Sequence, residues 1–175
     1  MGWMARMWFG GLARVRVYRR LELVELGLQP PPALIETSLP LDFGFLEADD
    51  DEHRERRERG DRCYVAREAG TIVSSRWISE GRAYIAYLDT WLDLAPDEVY
   101  LSETFTDPSR RGHGVSGAAG TRLAHALAGE GHRRILAGVL KENHAGTRAY
   151  EKAGYRRIGR IGSVGLGPWR KSFRT

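Results

Sequence analysis

The run Arg111-Gly112-His113-Gly114-Val115-Ser116 stands between a strand-like stretch and an alanine-rich helical one. Two glycines and a small serine let successive backbone N–H groups turn inward, so the run can cradle phosphate oxygens at a helix N-terminus. Further on, Asn143 can cap a second helical run, and Tyr150 follows seven positions later, nearly two turns along the same face. The strand ahead of the cradle carries Glu103. If that strand alternates regularly, Glu103 shares a face with Val99, Leu101 and Phe105, whereas a bulge would turn it to solvent. A carboxylate buried among such neighbours would have a raised pKa and be suited to taking a proton. Glu98 and a chain of waters are the other sources of a base.

Several familiar chemistries fail on spacing. Gly112 to Gly117 satisfies the dinucleotide pattern G-x-G-x-x-G, with Glu142 available as the ribose acid. A dinucleotide turn starts directly at its strand end, whereas Asp107-Pro108-Ser109-Arg110-Arg111 intervenes here, and too little chain follows for a double set of βαβ units. No Gly-Lys-Ser/Thr follows the loop, which removes a nucleoside-triphosphate P-loop. His53, His113, His125, His132 and His144 lack metal-ligand spacing, so no metal is expected. Ser74 and Ser75 have no visible triad partners, and Cys63, in a strand-like run, reads as a small buried hydrophobe.

Two segments resemble the GNAT superfamily of N-acetyltransferases. Its pyrophosphate loop reads Arg/Gln-x-x-Gly-x-Gly/Ala after a strand and a Val-x-Pro-like step; here Thr106-x-Pro108 precedes Arg111-x-x-Gly114-x-Ser116, with Ser116 and Thr106 as departures. The run from Asn143 to Tyr155 is similar to the family's later signature, an asparagine followed by Tyr150 and then by Gly154-Tyr155. The resemblance implies an α+β fold with a mixed, mostly antiparallel central sheet, flanking helices and a splayed strand pair at the cofactor site. It implies acetyl-CoA, or another acyl-CoA, as donor. The diphosphate would lie on Arg111, Gly112, His113, Gly114, Val115 and Ser116, with Arg110 or Arg111 adding a cation, and Asn143 beside the cofactor. The pantetheine arm would pair with the backbone of Thr104, Phe105 and Thr106. Tyr150 matches the family's usual proton donor to sulfur. The implied reaction is acyl transfer to a primary amine by direct attack in a ternary complex, with Glu103 as the base. A carrier-protein or long-chain donor, and a non-catalytic CoA-binding regulatory module, are the competing readings.

The elements that must position these groups follow from pattern. Leu41 to Leu46 alternates as a first strand, and an acidic-to-basic run from Asp49 to Arg59 reads as a solvated helix ending at Gly60. Arg62 to Arg67 and Thr71 to Ile78 form a hairpin around Glu68-Ala69-Gly70, and Ala83 to Leu88 adds a strand that Trp91 to Pro96 interrupts. Val99 to Thr106 is the strand before the cradle, Ala118 to Ala128 a helix, Arg134 to Leu140 a buried strand, and His144 to Ala153 a helix. Trp77, Tyr84, Tyr87 and Trp91 read first as core aromatics and second as an acceptor pocket. Residues 14 to 28 fit strand and helix equally and are left undecided. Gln29-Pro30-Pro31-Pro32 breaks the chain, which divides it into an N-terminal extension, 1–32, that can pack on the rest, and a GNAT-like acyltransferase domain, 33–175.

The 175 residues carry 27 Lys and Arg against 23 Asp and Glu, a formal net charge of +4. That bias favours anionic partners, and a polyphosphate cofactor satisfies it. No dense basic stripe marks a nucleic-acid reader, so none is expected as partner. No stretch reaches the roughly 18 apolar residues of a spanning helix. The N-terminus, with Arg6 ahead of Met7 to Ala13, fails as an export signal. The expectation is a cytoplasmic protein acting on a small-molecule or peptide amine, with a homodimer left open.

Overall fold

The computed structural model describes residues 15–46, 53–166 and 169–175; the acidic start of the first helix, Asp49 to Glu52, and the tested export signal lie outside them. Ten strands and three helices follow in order. They are β1 (Val15–Gly27), β2 (Leu41–Phe45), α1 (Arg54–Glu58), β3 (Arg62–Glu68), β4 (Thr71–Glu80), β5 (Arg82–Ile85), β6 (Thr90–Asp93), β7 (Glu98–Thr106), α2 (Val115–Gly129), β8 (Arg134–Val139), α3 (His144–Lys152), β9 (Arg156–Leu166) and β10 (Trp169–Arg174). Eight strands form one sheet in the order β10-β9-β1-β8-β7-β4-β3-β2, and β5 pairs with β6 in a separate hairpin. Only β7 and β8 run parallel; every other pair in the sheet is antiparallel. The fold is α+β and GNAT-like, as expected.

The parallel pair is what opens the sheet. β7 and β8 are in register only from Glu98 and Arg134 to Leu101 and Ala137. β7 continues to Thr106 against β4 on its other side, so its β8-facing edge is left unpaired from residue 102 onward. On one face, α2 buries Val115, Ala118, Ala119, Leu123, Ala124 and Leu127, a spacing of three and four that turns one stripe inward. Leu123, Ala124 and Leu127 join Val99, Leu101 and Ile135 in the main core, with Tyr150 and Tyr155 packed against it. The opposite face is covered by the β5–β6 hairpin, whose Ala83, Ile85 and Leu92 meet Tyr100, Leu136 and Leu23. Among the described residues no helix is long and apolar enough to cross a membrane.

Three expectations change. Val15–Gly27, set apart as an extension, is β1 and lies inside the sheet between β8 and β9. Trp91 to Asp93, read as part of an interruption, belong to Thr90–Asp93, the second strand of a hairpin. The tail, for which no element was foreseen, folds back as β9 and β10. Cys63 is 5% exposed beside Val65 and Trp77, as a small hydrophobe would be.

Candidate active site

The phosphate-type loop is shaped by its own backbone and by what lies behind it. Asp107 takes hydrogen bonds from the Ser109 N–H (2.8 Å) and hydroxyl (2.6 Å), which hold its carboxyl below the usual range and fix the short turn Pro108–Arg110. Gly112 (φ +84°) and Gly114 (φ +80°) then take the left-handed conformation that L side chains resist. A Cβ on Gly114 would stand 3.1 Å from the Glu36 carbonyl oxygen. The segment carrying Glu36 is tied down, because the Thr37 hydroxyl donates to the His113 carbonyl (2.9 Å) and the Ile35 N–H to Thr121 Oγ1 (3.1 Å). Gly114 is the N-cap of α2 and supplies no side-chain cap, while its carbonyl accepts the Ala118 N–H. The N–H groups of Val115, Ser116 and Gly117 therefore have no partner within the helix. No acidic residue lies in that first turn.

One cleft of about 1080 Å³ takes in this loop, the open edge of β7 and the face of α3. Its walls bring together Glu103, Thr104, Thr106, Arg111, Gly112, Gly114, Val115, Ser116, Asn143 and Tyr150. Phe105 and His113 are not on them: Phe105 is 47% exposed, its carbonyl accepting from Ser74 Oγ (2.7 Å), and His113 serves through its carbonyl. Arg110 and Arg111 both line the cleft, and Arg110 is also engaged by Glu68 (2.6 Å). Asn143 caps α3, its Oδ1 accepting the Gly146 N–H (2.9 Å). The space beside Gly146 is thus taken by the Asn143 side chain. Tyr150 is half-buried and packs edge-on against Tyr155, centroids 4.9 Å apart. Burial raises the Tyr150 phenol above its ordinary pKa, an effect that the charge of Arg76 partly opposes. Burial likewise raises Tyr155.

Glu103 does not share a buried face with Leu101. Trp77 faces Glu103 and Ile78 faces Leu101, so a bulge at Ser102 rotates the carboxylate to the other side of the strand. There its side chain is 58% exposed and ion-paired with Arg56 of α1. Glu98 is excluded as a substitute: it lies at the opposite end of β7, caps the Ala95 N–H (3.0 Å) and pairs with Arg134 (3.0 Å). The mouth around Glu103 is formed by Arg56, Arg59, Asp61, Tyr84 and Tyr87. Trp77 is buried under Arg56 and His53, and Trp91 packs on Tyr84 outside the cleft.

Sequence reasoning missed Arg56 and Arg59, which the charge run from 49 to 59 concealed, and also Asp61 and Arg76. The signal for Arg76 was a lone cation within an otherwise apolar and small strand, Ile72 to Ile78. Glu80, Glu130 and His132 also converge, but Arg62 already occupies both carboxylates at 2.7 and 2.8 Å.

A sequence profile described as the acetyltransferase (GNAT) family matches residues 32–155. The chain belongs to the GNAT acetyltransferase family. No curated protein matches the sequence itself. Among solved structures, this GNAT chain is similar to a GCN5-related N-acetyltransferase from Sphaerobacter thermophilus, at 16% identity and a TM-score of 0.59 over 98% of this chain and 57% of that one. It is similar to another from Kribbella flavida, at 14% identity and a TM-score of 0.59 over 94% and 63%. A third is AAC(6')-Iy, solved in complex with a bisubstrate analogue, CoA-S-monomethyl-acetylneamine, at 17% identity and a TM-score of 0.51 over 67% and 91%. At these identities the likeness is one of fold. The chain spans 57% and 63% of the length of the first two.

Proposed function

We propose that the chain moves an acyl group, acetyl in the simplest case, from an acyl-CoA to a primary amine by direct attack within a ternary complex. The supporting observation is a convergence: an uncapped helix N-terminus, an unpaired strand edge and a protonated phenol line one cleft. A CoA thioester supplies an acyl carbon open to attack and a thiolate that can depart. The residues present fit such a group. The free N–H groups at the start of α2, with Arg111 beside them and no acid in the turn, suit a diphosphate. The edge of β7 at Thr104 to Thr106 offers backbone donors and acceptors to an extended, amide-bearing arm. An N–H on that edge can also meet the oxyanion charge of the attacked carbonyl without reorganising.

The proton inventory then rests on two side chains. Glu103, turned by the bulge towards the mouth, holds the incoming amine and takes its proton, with Arg56 fixing the carboxylate. Tyr150, kept in its phenol form by burial, gives a proton to the departing sulfur. Tyr84, Tyr87, Arg56 and Arg59 shape the entrance for a small-molecule or peptide amine.

Isothermal titration with acetyl-CoA, followed by a thiol-release screen over amines, tests the reading. Micromolar binding and amine-dependent thiol release are the expected results. Failure to bind acetyl-CoA or CoA refutes it, and binding without turnover on any amine points to a CoA-binding module.

A further inference from the structure

Buried charges among the described residues are answered, with one exception. Glu25 is 4% exposed and meets Arg156, Glu22 meets Arg157 and Arg160, and Glu98 meets Arg134. Arg76 is 6% exposed, yet among the described residues no carboxylate lies within ion-pair distance of it. Its Nη2 donates to the carbonyl of Ser116 and to Ser116 Oγ (3.0 Å), and its Nε has no hydrogen-bond partner. A guanidinium kept out of water with only neutral acceptors destabilises the chain that holds it. Burial accordingly lowers its pKa.

What Arg76 touches defines its role. It stands on β4 opposite Thr104, on the wall of the cleft, and its guanidinium lies along the first two turns of α2, 3.7 Å from where a Cβ on Gly120 would be. That is the positive end of the helix, with no acidic residue in its first turn. A buried cation there is opposed by the dipole, and an anion seated on the free N–H groups answers both. The Ser116 carbonyl that Arg76 grips belongs to the same peptide unit as the Gly117 N–H, one of the three donors left free at the start of α2. A trans peptide holds its C=O and N–H antiparallel, so fixing the oxygen on one side fixes the direction of the N–H on the other. Donation from a charged group also polarises that unit and strengthens its N–H as a donor. Ser116 completes the grip, since its hydroxyl accepts a bond that glycine or alanine at that position could not.

We propose that Arg76 is a positioning residue of the donor's diphosphate site: it holds the Ser116–Gly117 peptide so that the Gly117 N–H meets the phosphate oxygens, and its charge is balanced only when the diphosphate is seated. This inference rests on the acyl-CoA reading above and extends the anion site to a residue of β4, outside the loop. Its signature is a pair of opposed effects. Arg76 strengthens donor binding and weakens the free chain, whereas a merely structural arginine would do the reverse.

The test compares the wild type, R76M and R76K by urea denaturation of the free protein and by titration with CoA and with ADP, which carries a diphosphate without the pantetheine arm. Methionine removes the buried charge and the unpartnered Nε, and the exposed Ser116 hydroxyl turns to water, so R76M is expected to be at least as stable as the wild type. CoA and ADP should each bind R76M about tenfold more weakly, the contribution of a hydrogen bond from a charged group. R76K, which keeps the charge, should recover part of that loss. An R76M chain that fails to fold, or that unfolds at lower urea than the wild type, overturns the proposal by making the arginine a support of the fold. Unchanged CoA affinity in R76M overturns it as well, and a loss for CoA but not for ADP does so by moving Arg76 to the pantetheine arm. A wild type that binds neither CoA nor ADP removes the underlying acyl-CoA reading instead.

Discussion

Replacing Gly114 by alanine separates two demands on the phosphate-type loop. The residue has φ +80°, and a left-handed backbone costs an L side chain about 1–2 kcal/mol. Its new Cβ would also lie 3.1 Å from the Glu36 carbonyl oxygen, a backbone atom held in place by the flanking Ile35 and Thr37 hydrogen bonds. Relief of that contact adds about 1 kcal/mol, giving about 2–3 kcal/mol in all. Gly112 is the control: φ is +84°, but nothing lies within 4 Å of its Cβ position, so G112A should lose only the conformational part. The two variants are compared by urea denaturation and by titration with CoA. G114A should be about 1 kcal/mol less stable than G112A. If its loop relaxes instead by rotating its N–H groups away, the loss appears as a drop in CoA affinity of about fivefold relative to G112A. Equal stability and equal affinity in the two variants would refute the account of Glu36 as the wall behind the loop.

Other outcomes follow from the same geometry. Y150F should lower kcat by about 100-fold or more while leaving CoA affinity within a few-fold; an equal loss in both would make the hydroxyl a positioning group. Because burial raises the Tyr150 phenol above its ordinary value near 10, its proton stays in place through the alkaline range. A wild-type kcat profile should therefore show no downward limb below about pH 10, and a limb near pH 8 that Y150F abolishes would contradict this. E103Q should reduce amine turnover about tenfold or more without changing thioester affinity, measured by steady-state kinetics and titration. R62M removes the partner that holds the Glu130 carboxyl below its ordinary pKa. A depressed carboxylate stabilises the fold above its unfolded pKa, near 4.3, and loses that contribution as pH falls through the folded value. R62M should thus be at most about 1 kcal/mol less stable at pH 7, the pair being partly exposed, with the difference shrinking below pH 4 in denaturation experiments.

The half of the fold that carries the candidate site was legible because its signals are local. Two glycines, a capping asparagine and a tyrosine seven residues later determine the ends and faces of two helices through contacts within a turn or two. β1 was opaque for a tertiary reason. Leu21 and Leu23 face the hairpin side of the sheet while Val24, Leu26 and Leu28 face the helices, with a register shift between Leu23 and Val24. A strand apolar on both faces and bulged in the middle has neither a clean period of two nor one of 3.6. The orientation of Glu103 stayed open between two readings for a similar reason: alternation puts it with Leu101, and the extra residue that reverses it is set by pairing with β4. Arg56 was counted on a solvated face because its partner, Glu103, stands on β7, and Arg59 because Asp61 lies just beyond the charge run.

The placement of β1 bears on the order in which the chain can fold. Its pairing partners are residues 134–139 and 156–166, so the first described strand is completed by almost the last. During synthesis β2 to β4 can pair as they emerge, but β1 must wait until β8 and then β9 have left the ribosome. Until then Glu22 and Glu25 lack the arginines of β9 that offset their burial. Contacts of such high sequence separation form slowly and leave unpaired edges exposed meanwhile. The splayed strands of the candidate site are thus framed late, with β8 gaining its second neighbour only when β1 pairs with it.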